Sequence, residues 1–470
     1  MTVDLKQRVS GLRQECLSYP EILAQSVGYI APVAMVSVTT PLVFATAGKG
    51  TWLAYLIATV GLVLVSFNIK HFARRSASCG ALYTYIAMGM GPMAGVISGW
   101  CILLAYLGAA SNALVGFAIS ANIVLSSLGF HFPTLLLYAF CCGLAWFYAY
   151  TDIQLSTVLM LVLELTSVTL ILILAACVLF THGVAIDSSQ LTLSGVTPSG
   201  FGLGMVLAVF CYIGFESCAT LGEEAKKPLR YIPRAMSWSL VSVGVFFIFL
   251  SYTEVLGFTG YQTSLAQSNE PLAILAQLAG VEWLGILISV GIAFSFFVCT
   301  LAATNAGGRI FYTMARHTVF HRLLGEAHAE NKTPHIAVSF SILLVLLFPA
   351  IMSLSGISLL DAYGYSGTIT TYGFLFVYIL VSIAAPMYLD QLGILRTKNV
   401  VTAILAVLFM AIPVIGSVYP VPKPPYNLFP YLFLAYLLVG GCWFWQLRLS
   451  SPQTIQEIEY DLEALHKKFR

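Results

Sequence analysis

The 470-residue chain has 9% charged residues against 59% hydrophobic and 13% aromatic ones, with a formal net charge of +2. A soluble chain is about a quarter charged, and no soluble fold hides this much apolar surface, so the expected class is a polytopic membrane protein in a lipid bilayer. No basic tract points to nucleic acid, and the ten cysteines have no CxxC spacing, so neither a zinc site nor a disulfide framework nor any cofactor is indicated.

Residues 1–20 are polar and mixed in charge, which reads as a cytoplasmic segment and not as a cleavable signal peptide. A helix needs about 20 residues to cross the hydrocarbon. Apolar runs of that length begin near Ile22, Trp52, Met93, Pro133, Leu155, Phe201, Ala235, Trp283, Ile336, Leu360, Val401 and Leu428, which predicts about twelve transmembrane helices. Residues 71–95 read as a cytoplasmic loop with a Gly-rich approach to the third span. The segment 258–281 is too long for a turn and mildly amphipathic, so it is expected to form an external helix on the membrane surface. The tail 450–470 has Ile455, Ile458, Leu462 and Leu465 at helical spacing and reads as a short amphipathic cytoplasmic helix.

Charge placement tests this count. With the N-terminus in the cytoplasm, twelve crossings put every Lys and Arg except Lys49 and Lys423 on the inner side, which is 20 of the 22. That asymmetry follows the positive-inside rule. It predicts a multi-pass protein of the cell membrane with both termini cytoplasmic.

Two spans carry interruptions. The first holds Gly28 and Pro32, and Pro32 lacks an N–H and clashes with the preceding turn. The sixth holds Gly214 just before Glu216. In hydrocarbon a broken helix survives only where protein or a water-filled cavity surrounds the break. Gly/Pro-interrupted spans at matching positions of two halves point to a transporter's central site. Spans 1 and 6 fit a five-plus-five inverted repeat, with helices 1–5 over 21–180, helices 6–10 over 201–390, and helices 11–12 over 400–448. Half-helix N-termini offer N–H groups and positive dipole ends to an anion, and the opposite ends offer carbonyls to a cation. A zwitterionic amino acid carries one group of each kind.

The run "GFESCATLGEEAKKPLRYIPRA" (214–235) resembles the helix 6–7 region of the amino acid–polyamine–organocation (APC) superfamily. "SCGALYTYIAMGMGPMAGVISGW" (78–100) and "NAGGRIFYTMARHTVFHRLLG" (305–325) are similar to it as well. The resemblance runs from about residue 20 to 390 and implies an all-α integral membrane protein of the LeuT-type fold. It implies that Ile30 to Met35 (Ile30, Ala31, Val33, Ala34 and Met35 among them) are the unwound part of helix 1, near the substrate's carboxylate and amine. Phe210 to Phe215 become the unwound part of helix 6, including Tyr212, Ile213 and Gly214, with Phe210 or Tyr212 as an aromatic lid. Tyr106, Ala110 and Leu114 of helix 3, and Phe296, Thr300 and Ala303 of helix 8, would line the side-chain pocket. Tyr363 and Tyr365 of helix 10 are expected at an external gate. Many members have a Gly-Ser-Gly-like run in helix 1, where this chain has Ala31-Pro32-Val33-Ala34, whose proline cannot donate to a carboxylate.

Two acids lie deep in the spans. Glu216 either accepts hydrogen bonds from N–H groups at the helix 6 break or holds a coupling proton. Glu164 in helix 5 is open to three readings: a proton site, a partner for a cationic substrate, or a polar anchor bonded to a helix 8 hydroxyl. Glu254 and Asp361 fall near outer span ends, where water is expected to reach them. Ser295, Thr300, Thr304 and Asn305 are potential sodium ligands, although such side chains more often pair helices. The expected function is therefore a secondary permease moving amino acids by alternating access, with proton coupling or exchange and with sodium left open. A polyamine transporter and a non-transporting sensor are the alternatives. The eight histidines fall at span ends or loops in no catalytic or metal-binding spacing, which argues against an enzyme.

Overall fold

The computed structural model describes residues 11–183, 186–268, 270–419, 421–450 and 453–468; the first ten residues of the expected cytoplasmic N-terminal segment lie outside them. The first membrane segment is split into α1 (Tyr19–Ile30) and α2 (Pro32–Ala47), followed by α3 (Thr51–Ala73). Then come α4 (Ala81–Met90), α5 (Pro92–Ser127), α6 (Thr134–Thr151) and α7 (Ile153–Thr181). The second half holds α8 (Ser188–Leu191), α9 (Pro198–Phe210), α10 (Pro228–Gly257), α11 (Pro271–Leu278), α12 (Glu282–Arg316), α13 (His335–Leu354) and α14 (Leu359–Gln391). It is followed by α15 (Thr397–Gly416), α16 (Phe429–Ser450) and α17 (Gln453–Lys468).

Among the described residues, ten stretches are long and apolar enough to cross a membrane. The first, Tyr19–Ala73, is 55 residues long, far more than the roughly 20 one crossing needs. Its turn at Gly48–Gly50 divides it into two crossings. The other span predicted from sequence is α9 with the irregular chain after it, too short a helix to qualify alone. The predicted starts fall within a few residues of the helices, except that α10 begins seven residues before Ala235.

Two corrections concern the loops. Residues 81–90 are not loop but the helix α4, buried along nearly its whole length and packed on α5 and α14. Gly91, with φ 89°, separates it from α5, where Pro92 starts the new helix with its missing N–H at no cost. Among its described residues the segment 258–281 holds a 3-10 turn at Leu265–Gln267 and one two-turn α-helix, α11, whose Leu272, Leu275 and Ala276 are buried.

The centre of the bundle is α5, packed against α12 and α14. Small residues let these backbones approach: a Cβ at Gly108 would collide with Thr370 Oγ1, and one at Gly116 with the Phe296 ring. In the most apolar window of α5, 72% of residues are buried, against 17% for the segment containing α16. The last two spans are therefore the lipid-facing rim, and the first ten build the core.

Candidate functional site

The helix 1 break is narrower than the sequence predicts. Only Ala31 leaves the helix, at φ 50°, ψ 60°. A left-handed alanine costs about 1–2 kcal/mol, and Pro32 follows it as the first residue of α2, where no N–H is required. Val33, Ala34 and Met35 thus form the first turn of α2 and are not unwound. All three are buried, and this turn is the positive end of a half-helix. The helix 6 break is wider than expected. Gly214 takes φ 91°, and the chain resumes as a 3-10 helix over Ser217–Leu221, so no α-helix forms between Phe210 and Pro228.

The two breaks touch. Ser26 Oγ donates to Phe215 O at 2.7 Å, Ser217 Oγ donates to Gln25 O at 3.3 Å, and the Gly214 backbone lies against the Tyr29 ring. Cys299 Sγ of α12 donates to Tyr29 O, one of the carbonyls freed by the break, at 3.1 Å.

Glu216 is fully buried and ties three elements together. Tyr106 Oη of α5 donates to Oε1 at 3.2 Å, and Tyr378 Oη of α14 donates to Oε2 at 2.5 Å. The Gly214 amide donates in turn to Tyr378 Oη at 3.2 Å. Tyr29, Tyr106, Phe374 and Tyr378 pack against one another beside this carboxylate, edge-on or tilted, with ring centroids 5.5–6.1 Å apart. Glu164 sits at the other break. Ser295 Oγ donates to Glu164 Oε1 at 2.9 Å and accepts from the Ala34 amide at 3.3 Å, while Glu164 Oε2 has no hydrogen-bond partner among the described residues. A carboxylate of the protein itself therefore faces the positive end of α2.

The other predicted residues separate into two groups. Phe210 is half-buried beside Gly367 of α14, on the side where Asn112 Nδ2 donates to Tyr363 O at 2.6 Å and Tyr363 packs edge-on against Phe296. Tyr212 turns away: its hydroxyl lies 2.8 Å from Thr59 Oγ1 and donates to Tyr55 O at 3.1 Å, and its ring packs on Tyr55 and Phe247. It belongs to the packing against α3 and α10, and of the two expected lid residues Phe210 alone faces α14. Tyr212→Phe is expected to cost about 1 kcal/mol of stability with KM unchanged, whereas Phe210→Ala raises KM severalfold. Melting curves and uptake kinetics check both.

Ile30, Ala110, Leu114, Ile213 and Ala303 are buried in the same core. Thr300 and Thr304 spend their hydroxyls on carbonyls one turn back in α12, and Asn305 donates to Ser156 of α7. Of the four suggested sodium ligands, Ser295 alone reaches a break. Tyr365 packs on Tyr426 and Phe429 at the rim. Glu254 corrects the sequence reading: it is 1% exposed, with neither carboxylate oxygen hydrogen-bonded among the described residues, whereas Asp361 is exposed as expected. Sequence reasoning assigned no role to Tyr29, Phe374 and Tyr378. Their signal was the aromatic i, i+4 pair at 374 and 378 and the tyrosine two residues before Ala31.

Around the breaks, Gln25 Oε1, Tyr29 Oη, Glu164 Oε2 and Tyr363 Oη are buried with no hydrogen-bond partner among the described residues. An unmet buried hydroxyl costs about 1–3 kcal/mol, so each is available to a polar solute. Below the site the core closes on Arg309 and Glu224, both fully buried, in a two-pronged ion pair at 2.6 and 2.7 Å. The Glu224 carbonyl accepts the Cys16 and Leu17 amides, which draws the N-terminal segment across this end. Burial, with the Glu224 charge, pushes the Cys16 thiol up to about 11, so it stays a protonated packing residue.

The profile of the amino acid permease family matches residues 17–442. The chain is 25% identical to the branched-chain amino acid permease BcaP of Bacillus subtilis over 63% of its length and 66% of that relative's. It is 27% identical to the low-affinity putrescine importer PlaP of Escherichia coli over 64% and 68%, and 25% identical to the serine/threonine exchanger SteT of Bacillus subtilis over 66% and 71%. These matches span about two thirds of the relatives' length. Among solved structures, the Eremococcus coleocola manganese transporter, in complex with an aromatic bis-isothiourea substituted compound, superposes with a TM-score of 0.56 at 14% identity, over 97% of this chain and 100% of that one. That likeness concerns the LeuT-type fold alone, and among the described residues no cluster of His, Cys, Asp and Glu is large enough to hold a metal. With broken helices meeting at the centre of a twelve-span bundle, the chain belongs to the amino acid permease family, within the APC superfamily.

Proposed function

We propose that this protein is a secondary transporter that carries an amino acid across the cell membrane by alternating access, with both termini cytoplasmic. The observation that carries this reading is the contact between the Ala31 and Gly214 breaks inside a ring of tyrosines. Substrate would bind between the α2 N-terminus, Tyr29, Tyr106 and the Phe210 side, and the two five-helix repeats, 21–180 and 201–390, would rearrange around it. Arg309–Glu224 is the inner closure. The amino acid class rests on the family and on the named substrates of BcaP and SteT. A polyamine is the second reading, supported by Glu164 at the position where a substrate carboxylate would otherwise dock. Counterflow in proteoliposomes preloaded with unlabelled amino acids and polyamines tests both, since only a transported label accumulates. Silence across the panel with folded protein would sink the proposal.

Coupling is read from the two carboxylates. Glu216, held by two tyrosines, is the architectural member of the pair. Glu164, with a single side-chain donor, is the coupling candidate. Glu216→Gln is expected to lower uptake about tenfold at every pH without changing the shape of the profile. Glu164→Gln fixes a neutral side chain, so the rise in uptake on acidification is expected to flatten. Unchanged pH profiles in both variants would remove protons from this site and turn attention to exchange or sodium.

A further inference from the structure

At the end of the bundle that carries most of the basic residues, a cavity of about 590 Å³ opens between the end of α3 and the start of α10. Arg74, Arg230 and Arg234 line it, together with Leu229, Pro233, Ser237 and Trp238, and no acidic residue does. All three arginines are exposed, and none has a carboxylate within ion-pair distance among the described residues. Elsewhere on this end Arg13 does find such a partner, Asp152, at 2.6 Å. Three guanidiniums facing one opening repel each other unless an anion sits among them, and a phosphate presents the oxygens their planar forks match.

The sequence of α10 extends the site toward the membrane. Arg230, Arg234 and Trp238 recur every fourth residue and so lie on one helical face. The same side continues with Val241 and Val245, and these three apolar residues are 58%, 42% and 63% exposed. From Arg234 to Val245 the helix rises about 16 Å, which is roughly the hydrocarbon depth of one leaflet. A tryptophan at the boundary between charged and aliphatic stretches marks the headgroup level. Basic pockets between helices at this level recognise acidic headgroups.

We infer that this groove is a binding site for one anionic phospholipid. Its phosphodiester is held by Arg74, Arg230 and Arg234, and an acyl chain runs along Trp238, Val241 and Val245. The lipid cross-links α3 to α10, the two helices that pack on each other beside the broken segments. The occupant is a lipid and not a free phosphate because the charged cluster continues without interruption into an exposed apolar track.

Native mass spectrometry of the full chain, released from detergent after incubation with phosphatidylglycerol or phosphatidylethanolamine, tests the site. The wild type is expected to retain one phosphatidylglycerol about tenfold more than phosphatidylethanolamine. Arg230→Gln/Arg234→Gln should lose that preference, while Arg396→Gln/Lys398→Gln, at the same end of the bundle, keeps it. Should the double variant fail to fold, the single changes Arg74→Gln, Arg230→Gln and Arg234→Gln are each expected to weaken retention two- to threefold, and Trp238→Ala to weaken it without altering headgroup preference. Equal retention of both lipids by the wild type, or by wild type and arginine variants, would overturn the site. Displacement by millimolar inorganic phosphate, with no dependence on acyl chains, would overturn the lipid as occupant.

Discussion

Arg309→Ala is expected to be among the most damaging single substitutions in this protein, costing about 3–5 kcal/mol of stability. Arg309 and Glu224 are both fully buried and joined by two hydrogen bonds, and Arg309 Nη1 also donates to Asn305 O at 3.1 Å. Deleting the guanidinium leaves Glu224 as an uncompensated charge in the core. The same residue's carbonyl anchors the Cys16–Leu17 segment, so the inner closure is expected to loosen with it. Arg309→Lys retains charge but not the fork, and should fall between wild type and alanine. The double variant Arg309→Met/Glu224→Leu separates stability from gating, since apolar replacement of a buried pair is often neutral for folding. Melting in detergent should recover toward wild type in the double variant while uptake stays impaired. An Arg309→Ala protein as stable as wild type would show that the pair is not a strut.

Gly214→Ala is expected to reduce transport on the order of 100-fold. A Cβ there would run into Cδ1 and Cε1 of the Tyr29 ring, and the residue sits at φ 91°. Left-handed strain adds about 1–2 kcal/mol and overpacking about 1–3 kcal/mol. Each 1.4 kcal/mol is about tenfold when it falls on the working conformation. The two costs can be told apart. Gly214→Asn, whose side chain tolerates the left-handed region better than alanine's, lowers the strain but keeps the clash, so it should recover little of the transport if overpacking dominates. Wild-type rates in Gly214→Ala would mean that the close contact between the breaks has no part in the cycle.

The spans were legible because each one stands alone against lipid: length and hydropathy decide a crossing regardless of what packs beside it. The same is true of the breaks. Pro32 removes a donor wherever the helix lies, and Gly214 permits a left-handed turn in any surroundings. The run Gly-Glu-Glu-Ala-Lys-Lys-Pro at 222–228 was sufficient for the family. The extent of the breaks was not legible, because it depends on which neighbours satisfy the freed groups. Ser295 and Glu164 receive the first turn of α2 and keep Val33 to Met35 helical, whereas Tyr378 takes the Gly214 amide and the chain beyond runs on as a 3-10 turn.

Residues that sequence position placed together were sorted by direction. Phe210 and Tyr212 are two residues apart, yet one faces α14 and the other is fixed to α3 by Thr59 and Tyr55. Glu254 reads as wetted because it is close to the end of α10, but α11 of the outer segment packs on α10 and Glu254 is 1% exposed. The membrane class, the crossings, the family and the two places where helices fail were readable from the amino acids alone, since these follow from local covalent chemistry and from transfer to lipid. The partners of Glu216 and Glu164, the opposite directions of Phe210 and Tyr212 and the burial of Glu254 depend on the folded neighbours. Hydrogen bonds and burial belong to pairs of elements distant in sequence, and no single stretch of chain encodes them.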